Sequence, residues 1–553
     1  MALFRSGNRS RRWRPKGSSQ PPGHEDTKGA ISRFVPFQRT LWECLRGAGP
    51  WVWGAAALLA GALLRLWGLG GQGFWRDEAQ GLFIAAKGFP GGIVAALARD
   101  GHPPLYYFIM HFWMLAFGRG ELAVQLFSAL CGLGAIAVVY ALGRRLYGQA
   151  SGLGAAFFAV LLPMHIQLSR TARMYSLVSL AASLVVYLAY VAVSRGGAAR
   201  YAGLALASVA LVYSHNWGVL MVGAVNVWWA TLLLIHPPAR RSWRAWIASQ
   251  AAVGLAYLPW LPVLGAQRSA LVVAATWTET GSRIGNLFRL LNELTSLALP
   301  HGRSFVWVGL VLLGLVSVRI SRKEVALHFP LEPATLLLAC TFAVPLVLGL
   351  LITPKSVGII PSYVTIVVYP ALCVILGRGV LGLRRWWAVA AAVAVVLGLW
   401  VAPLRTVETV VTSNLREVAA HVQARAAPGD VIIVAPDYLA TTFNYYYRGP
   451  QAQVAFPMPP GRTEEIVWAD YGQRWQRAGE QIEPTLAFVE AALGPGGRLW
   501  LVGPVESYPK NPLFEQIRAL KSRLDARYRL VEAVTRFRGP VETADVYVYE
   551  RGT

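Results

Sequence analysis

Charge is scarce in this chain of 553 residues, and acidic charge is the scarcest. Asp, Glu, Lys and Arg together make up 14%, with 28 acidic against 52 basic residues, while 55% of the chain is hydrophobic. That balance excludes a soluble globule of this size and indicates an integral membrane protein. Cysteine is almost missing too. Cys131, Cys340 and Cys373 sit inside apolar stretches and Cys44 just before the first. Four dispersed residues exclude a disulfide framework and read as small packing side chains. No internal repeat is visible, no spacing of His, Cys, Asp and Glu requires a metal, and no Gly-rich phosphate loop follows the first strand of the C-terminal part.

What the chain has in quantity is apolar sequence in stretches of about 17 to 25 residues, the length that crosses a bilayer. Eleven such segments are expected near 50–69, 122–143, 150–168, 175–193, 201–214, 217–235, 246–265, 304–320, 332–353, 362–381 and 386–403. The net charge of +24 could suggest nucleic acid, but the basic residues fall in small clusters between these segments, which is the pattern of membrane orientation and headgroup contact. Residues 1–49 carry ten Lys/Arg against three acidic residues, with Ser-Gly and Pro-Pro-Gly punctuation. They read as a basic, disordered cytoplasmic tail, with a nucleic-acid-binding arm as the alternative.

Cytoplasmic loops should be rich in Lys and Arg. With the tail inside, the inner loops carry Arg144/Arg145, Arg195/Arg200, Arg240/Arg241/Arg244, Arg319/Arg322/Lys323 and Arg384/Arg385. Counting the apolar run Leu105 to Phe117 as a span would put these clusters outside, so it reads as a juxtamembrane helix on the outer surface. The transmembrane domain is then 50–403, with a large outer loop at 70–121. Beyond Pro403 the composition becomes that of a soluble protein. A helix over Leu415 to Ala426 and strands at Val431 to Val434, Arg498 to Val502, Tyr528 to Val534 and Asp545 to Tyr549 predict an extracytoplasmic α/β domain at 404–553. The expected fold class is mainly α: a polytopic helical bundle with a C-terminal soluble α/β domain.

On this topology the outer face collects the unusual polar residues. Trp75-Arg76-Asp77-Glu78 places two carboxylates just beyond the first apolar segment, where ionised groups are costly and mark function. Neighbours in a helix or strand do not share a face, so one is expected to enter a site as general base while the other caps, orients or binds. An acidic first turn of an interfacial helix would look the same. In Gly101-His102-Pro103-Pro104-Leu105-Tyr106-Tyr107, two prolines hold His102 at a helix entry, where it could bind an acceptor hydroxyl, a phosphate or a metal, or act as an interfacial hydrogen-bonding residue. In Ser169-Arg170-Thr171-Ala172-Arg173-Met174-Tyr175, two Arg at i and i+3 could share a helical face and clamp a phosphate, with the Tyr175 hydroxyl nearby; snorkelling anchors are the alternative. His215 and Lys355 belong to the same set.

The order W-x-DE, HPPLYY, SRxARxY and a late P-x-YVxxVxYP stretch at Pro361 to Pro370 resembles the polytopic glycosyltransferases of the C-type fold, with the closest likeness to the bacterial protein O-mannosyltransferase and aminoarabinose-transferase-like group. The resemblance covers roughly residues 50 to 400. It implies a polyprenyl-phosphate-sugar donor and inverting transfer to a hydroxyl on a protein, glycan or lipid acceptor. It also implies Asp77 as base with Glu78 beside it, His102 at an acceptor- or metal-contacting position, and Arg170 and Arg173 near donor and acceptor. Where relatives often show Arg-Tyr this chain has Ser362-Tyr363, so Lys355 is expected to replace the missing cation beside Tyr363. No cofactor is required; a divalent ion could assist, with His102 and Glu78 as the residues to hold it. The expected setting is the bacterial cytoplasmic membrane, N-terminus inside and C-terminus outside. A transporter or flippase of a lipid-linked or small polar substrate is the rival reading, and a scaffold for a partner of the C-terminal domain is a third.

Overall fold

The computed structural model describes residues 49–236, 242–274, 304–320, 325–352, 361–383, 385–409, 412–466, 471–505, 512–535 and 542–552. The basic tail with Cys44, most of the loop from 268 to 303, and Lys355 lie outside the described residues. Helix α1 (Pro50–Leu66) leads into a first loop with three helices, α2 (Arg76–Ala85), α3 (Gly91–Leu97) and α4 (Leu105–Phe117). Then come α5 (Glu121–Tyr147), α6 (Gln149–Leu161), α7 (Pro163–Ser169), α8 (Tyr175–Arg195), α9 (Ala198–Ser214), α10 (Gly218–Ile235), α11 (Trp243–Tyr257) and α12 (Leu261–Ala274). Helices α13 (Ser304–Leu315), α14 (Pro333–Ile352), α15 (Pro361–Leu381) and α16 (Trp386–Thr409) complete the bundle.

Among the described residues, seven helices are long and apolar enough to cross a membrane: α5, α8, α10, the continuous stretch Trp243–Gln267, α14, α15 and α16. The pair α6 and α7, bent by 61°, makes an eighth. Helices α1, α9 and α13 are apolar but shorter, at 17, 17 and 12 residues. Helix α4 has 13 residues, about 20 Å at 1.5 Å per residue and short of a hydrocarbon core of about 30 Å. The segment 304–320 corrects the sequence reading. Its helix stops at Leu315, and Ser317–Ile320 forms strand β1, paired antiparallel with β2 (Val325–His328). Ser317-Val318-Arg319-Ile320 alternates polar and apolar, the period of a strand. Helix α16 also runs through Pro403 to Thr409, past the boundary expected at 403.

The bend between α6 and α7 follows from Pro163, which has no N–H to offer the carbonyl of Ala159 one turn back. Arg65 of α1, fully buried, takes over. Its Nη2 donates to Ala159 O at 3.0 Å, Nη1 to Val160 O at 3.1 Å and Gly61 O at 3.3 Å, and Nε to Ser169 Oγ at 3.3 Å. The Tyr369 hydroxyl also donates to Ala159 O, at 3.1 Å. An orphaned carbonyl in hydrocarbon would cost several kcal/mol, so the guanidinium makes the bend tolerable.

The C-terminal part contains α17 (Leu415–Arg425), β3 (Val431–Val434), α18 (Tyr438–Tyr446), β4 (Ala452–Ala455), α19 (Tyr471–Gln476), α20 (Ile482–Ala492), β5 (Leu499–Gly503), α21 (Pro512–Arg527), β6 (Tyr528–Val534) and β7 (Asp545–Arg551). The sheet order is β4-β3-β5-β7-β6, parallel across β4, β3 and β5 and antiparallel across β5, β7 and β6. Strand β3 is apolar at every position because both faces are covered. Val431 and Ile433 pack with Leu486, Val489 and Leu520, while Ile432 and Val434 pack with Leu415, Val418 and Phe443.

This α/β part grips the first loop. Phe74 N–H donates to the Tyr446 hydroxyl at 2.7 Å, and Arg416 Nη2 to Gly71 O at 2.8 Å. Gln80 and Ile466 exchange two hydrogen bonds, Ile466 N–H to Gln80 Oε1 at 2.8 Å and Gln80 Nε2 to Ile466 O at 3.4 Å. Lys87 pairs with Glu465 at 2.6 Å.

Candidate active site

Helix α2 starts at Arg76, so Asp77 and Glu78 lie in its first turn, where a helix N-terminus favours negative charge. Their environments differ sharply. Glu78 is buried, and both of its oxygens accept backbone N–H groups: Oε1 from Ala172 at 2.5 Å and Oε2 from Trp75 at 3.3 Å. It braces the start of α2 against the turn between α7 and α8. Burial pushes its pKa up to about 7, against the lowering effect of those hydrogen bonds and of Arg173. The Asp77 side chain keeps 27% of its surface open and lies 3.6 Å from Arg76 Nε. A base has to meet a mobile acceptor, and of the two carboxylates Asp77 is the accessible one.

Beneath Asp77 runs a chain of buried polar groups. Arg173 Nη1 donates to the backbone oxygen of Asp77 at 2.9 Å, and Nη2 lies 3.4 Å from His102 Nε2. His102 Nδ1 in turn lies 2.7 Å from Asp100 Oδ2, to which the Tyr107 hydroxyl donates at 3.4 Å. An arginine can only donate, so His102 Nε2 must accept and the imidazole proton sits on Nδ1, donated to Asp100. The order Asp100, His102, Arg173 is therefore electrostatically consistent. Burial opposes ionisation of Asp100, but its hydrogen bond with His102, and then the charge of Arg173, bring its pKa down to about 2. Burial likewise opposes the charge on Arg173, and Tyr107, Tyr175, Asp77 and Asp100 outweigh it, holding its pKa well above the usual value. Gly81, one turn after Asp77, lies beside this guanidinium: a Cβ there would stand 3.4 Å from Nη1.

His215 closes the other side. Its Nδ1 accepts the Trp217 N–H at 3.1 Å, so the proton is on Nε2, which has no hydrogen-bond partner among the described residues. Its ring meets Tyr363 at 4.6 Å and His102 at 5.6 Å between centroids. Burial, and then the charge of Arg173, keep its pKa well below the usual value. Tyr175 and Tyr363 lie 6.1 Å apart, with the Arg173 guanidinium 6.0 Å from the Tyr175 ring. Arg173 Nε also finds no partner among the described residues. Two buried donors without acceptors, beside two tyrosines, form a cradle suited to an anion.

Asp77, Glu78, His102, Arg173, Tyr175, His215 and Tyr363 thus meet at one end of the bundle. Arg170 does not join Arg173 on a helical face. Helix α7 ends at Ser169, residues 170–174 form a turn, and the Arg170 guanidinium approaches Gly68 at the end of α1. The i, i+3 argument fails because Glu78 holds Ala172 N–H, which interrupts the helical ladder. Glu78 and His102 are each engaged elsewhere, and among the described residues no group of three or more His, Cys, Asp or Glu could hold a metal. Sequence reasoning missed Asp100 as the partner of His102, and it missed Gln267, whose Nε2 donates to Leu97 O at 2.8 Å and His102 O at 3.1 Å. The second came without any signal, because its partners are backbone atoms 165 and 170 positions away.

Residues 101–264 match the family described as dolichyl-phosphate-mannose-protein mannosyltransferase. That stretch includes His102, Arg173, Tyr175 and His215 but begins after Asp77 and Glu78. No curated protein sequence matches the chain. Among solved structures, ArnT from Cupriavidus metallidurans in the apo state superposes with a TM-score of 0.56 at 14% identity, over 93% of this chain and 98% of that one. The same protein bound to undecaprenyl phosphate gives 0.54 at 14% identity, over 90% and 97%. The motif resemblance is met again in a family match and in the whole architecture: the chain has the C-type fold of polytopic membrane glycosyltransferases.

Proposed function

We propose that the protein is a membrane glycosyltransferase that moves a sugar from a polyprenyl-phosphate donor to a hydroxyl acceptor, with inversion, at the extracytoplasmic face of a bacterial cytoplasmic membrane. The observation that carries this reading is the accessible Asp77 carboxylate set directly above the buried chain of Arg173, His102 and Asp100. ArnT, of similar fold, binds undecaprenyl phosphate, which supports the donor class. Sugar nucleotides are made in the cytoplasm, so an active site facing outward needs a sugar already carried across on a lipid.

In the proposed reaction Asp77 takes the proton of the acceptor hydroxyl as its oxygen bonds to the anomeric carbon. The bond from that carbon to the phosphate oxygen breaks, and its electron pair leaves on the polyprenyl phosphate. The leaving group is already a stable anion and needs cationic and hydrogen-bond support rather than a proton. Arg173, the Nε2–H of His215 and the hydroxyls of Tyr175 and Tyr363 are the groups to supply it. His102, held by Asp100, orients the Arg173 guanidinium, and Glu78 holds the frame on which Asp77 is mounted. Lys355 remains the sequence-based candidate for a further phosphate contact.

The test is incubation of the purified protein in lipid with a panel of radiolabelled polyprenyl-phosphate sugars and acceptor alcohols. Transfer that is lost in Asp77→Asn supports the reading. Movement of intact donor across the bilayer would favour the transporter instead, and full transfer by Asp77→Asn would remove Asp77 from the mechanism.

A further inference from the structure

A carboxylate from the other end of the chain reaches the residue just before the proposed base. Glu542 lies just before β7 in the α/β part, and its side chain is 1% exposed. Both of its oxygens stand 3.1 Å from the backbone N–H of Arg76, the first residue of α2. Its Oε1 is also 3.8 Å from Arg76 Nε, which is itself 3.6 Å from Asp77 Oδ1. Arg76 therefore lies between two carboxylates, one buried and one open to the site, and its guanidinium packs over the Tyr438 ring at 4.8 Å.

Glu542 is itself held firmly. Its N–H donates to Thr412 O at 3.0 Å and its carbonyl accepts Asn414 N–H at 3.3 Å, pairing it with the short segment that follows α16. Asn414 then exchanges two further hydrogen bonds with Ala544, at 2.8 and 3.0 Å. Such a mount fixes an atom position better than a surface loop does. The charged and polar groups that face the carboxyl are Arg76 and Asp77 from the first loop and Ser413 from its own side.

We propose that Glu542 is a positioning residue for Asp77: by binding the first N–H of α2 and the Arg76 guanidinium, it sets the orientation and the electrostatic surroundings of the base. The α/β part then completes the active site instead of merely accompanying it. This rests on the reading of Asp77 as general base, and the experiment separates the two.

Full-length Glu542→Gln, Glu542→Ala, Arg76→Gln and the Glu542→Gln/Arg76→Gln double variant are assayed in lipid beside Asp77→Asn, with the polyprenyl-phosphate sugar that the panel identifies. A misplaced catalytic group costs up to about 100-fold, so kcat should fall about 10-fold in Glu542→Gln and about 100-fold in Glu542→Ala, with the donor KM within about twofold of wild type. The double variant should lose less than the product of the two single losses, because the Glu542–Arg76 side-chain contact is shared by both. Wild-type kcat in both Glu542 variants, or losses that multiply in the double variant, would overturn the proposal. So would a fall in thermal stability with kcat per folded molecule unchanged. If Asp77→Asn is inactive while the Glu542 variants are normal, only this inference fails; if Asp77→Asn is active, or no donor is turned over, the functional reading fails and this inference with it.

Discussion

Two arginines, Arg65 and Arg173, are both buried, yet they are solvated in opposite ways. Arg65 is surrounded by acceptors: the Gly61, Ala159 and Val160 carbonyls and His165 Nδ1 face its Nη atoms, Ser169 Oγ faces its Nε, and among the described residues no carboxylate pairs with it. Arg173 spends one N–H on the Asp77 carbonyl and another on His102, and its Nε has no partner among the described residues. A guanidinium whose every nitrogen finds an acceptor around the bend is a structural device that repairs a broken helix. One left with an unused donor beside two tyrosines and an accessible carboxylate is poised for a ligand. Burial alone would not separate them, whereas counting satisfied donors does.

The largest effect expected from this contrast belongs to Asp77. Asp77→Asn should lower transfer by about 10²- to 10⁴-fold with the protein still folded, because general-base catalysis is worth that much; radiolabel transfer with a thermal scan of the same sample checks it. Arg173→Gln should cost about 10²- to 10³-fold in kcat, the range for removing a preorganised donor to a developing anion. If that variant instead loses stability with normal turnover, Arg173 is a second Arg65 and the contrast breaks. Arg65→Leu is the mirror case: taking the guanidinium from the Val160 carbonyl, and leaving the Ala159 carbonyl to the Tyr369 hydroxyl alone, should reduce stability by about 1–3 kcal/mol, seen as a lower thermal midpoint in detergent, with kcat per folded molecule nearly unchanged.

A pH scan sharpens the comparison inside the Asp77–Glu78 pair. The folded pKa of Glu78 is raised from 4.5 to about 7. Between those values the unfolded chain has released the proton and the folded chain still holds it. Stability is therefore full below about pH 4.5 and falls as pH rises toward 7, by about 3 kcal/mol at most for this shift. Glu78→Gln should flatten that slope in thermal midpoints measured from pH 4.5 to 7.5; an unchanged slope would mean that Glu78 is not its source. The smallest effect is expected at the rim, where Lys87 and Glu465 are partly exposed. Lys87→Ala should change stability by less than about 1 kcal/mol.

The membrane class, the helical segments and the neighbourhood of the three polar motifs were legible in the sequence because each rests on local composition. Helices lie on all eleven expected apolar segments, although the one at 304–320 gives way to a strand after Leu315. The α/β character of the C-terminal part was legible for four strands, while Ala452–Ala455 passed unnoticed because its alternation is too short to read. The roles within the site were harder to read. A spacing of i and i+3 put Arg170 with Arg173, but a hydrogen bond from a residue 94 positions away bends that stretch into a turn.

Length, apolar periodicity and the excess of basic over acidic residues by themselves determined that this chain is a helical membrane protein with a polar cluster after its first apolar segment. These are properties of each stretch of residues, independent of what packs against it. Only the tertiary structure decided which carboxylate is open and which is locked, which buried arginine serves the fold and which faces the site, and that Glu542 reaches back across 466 positions to the start of α2. Burial and donor–acceptor pairing are relations between segments far apart in the chain, and they come into being only when the loop, the bend and the α/β part close on one another.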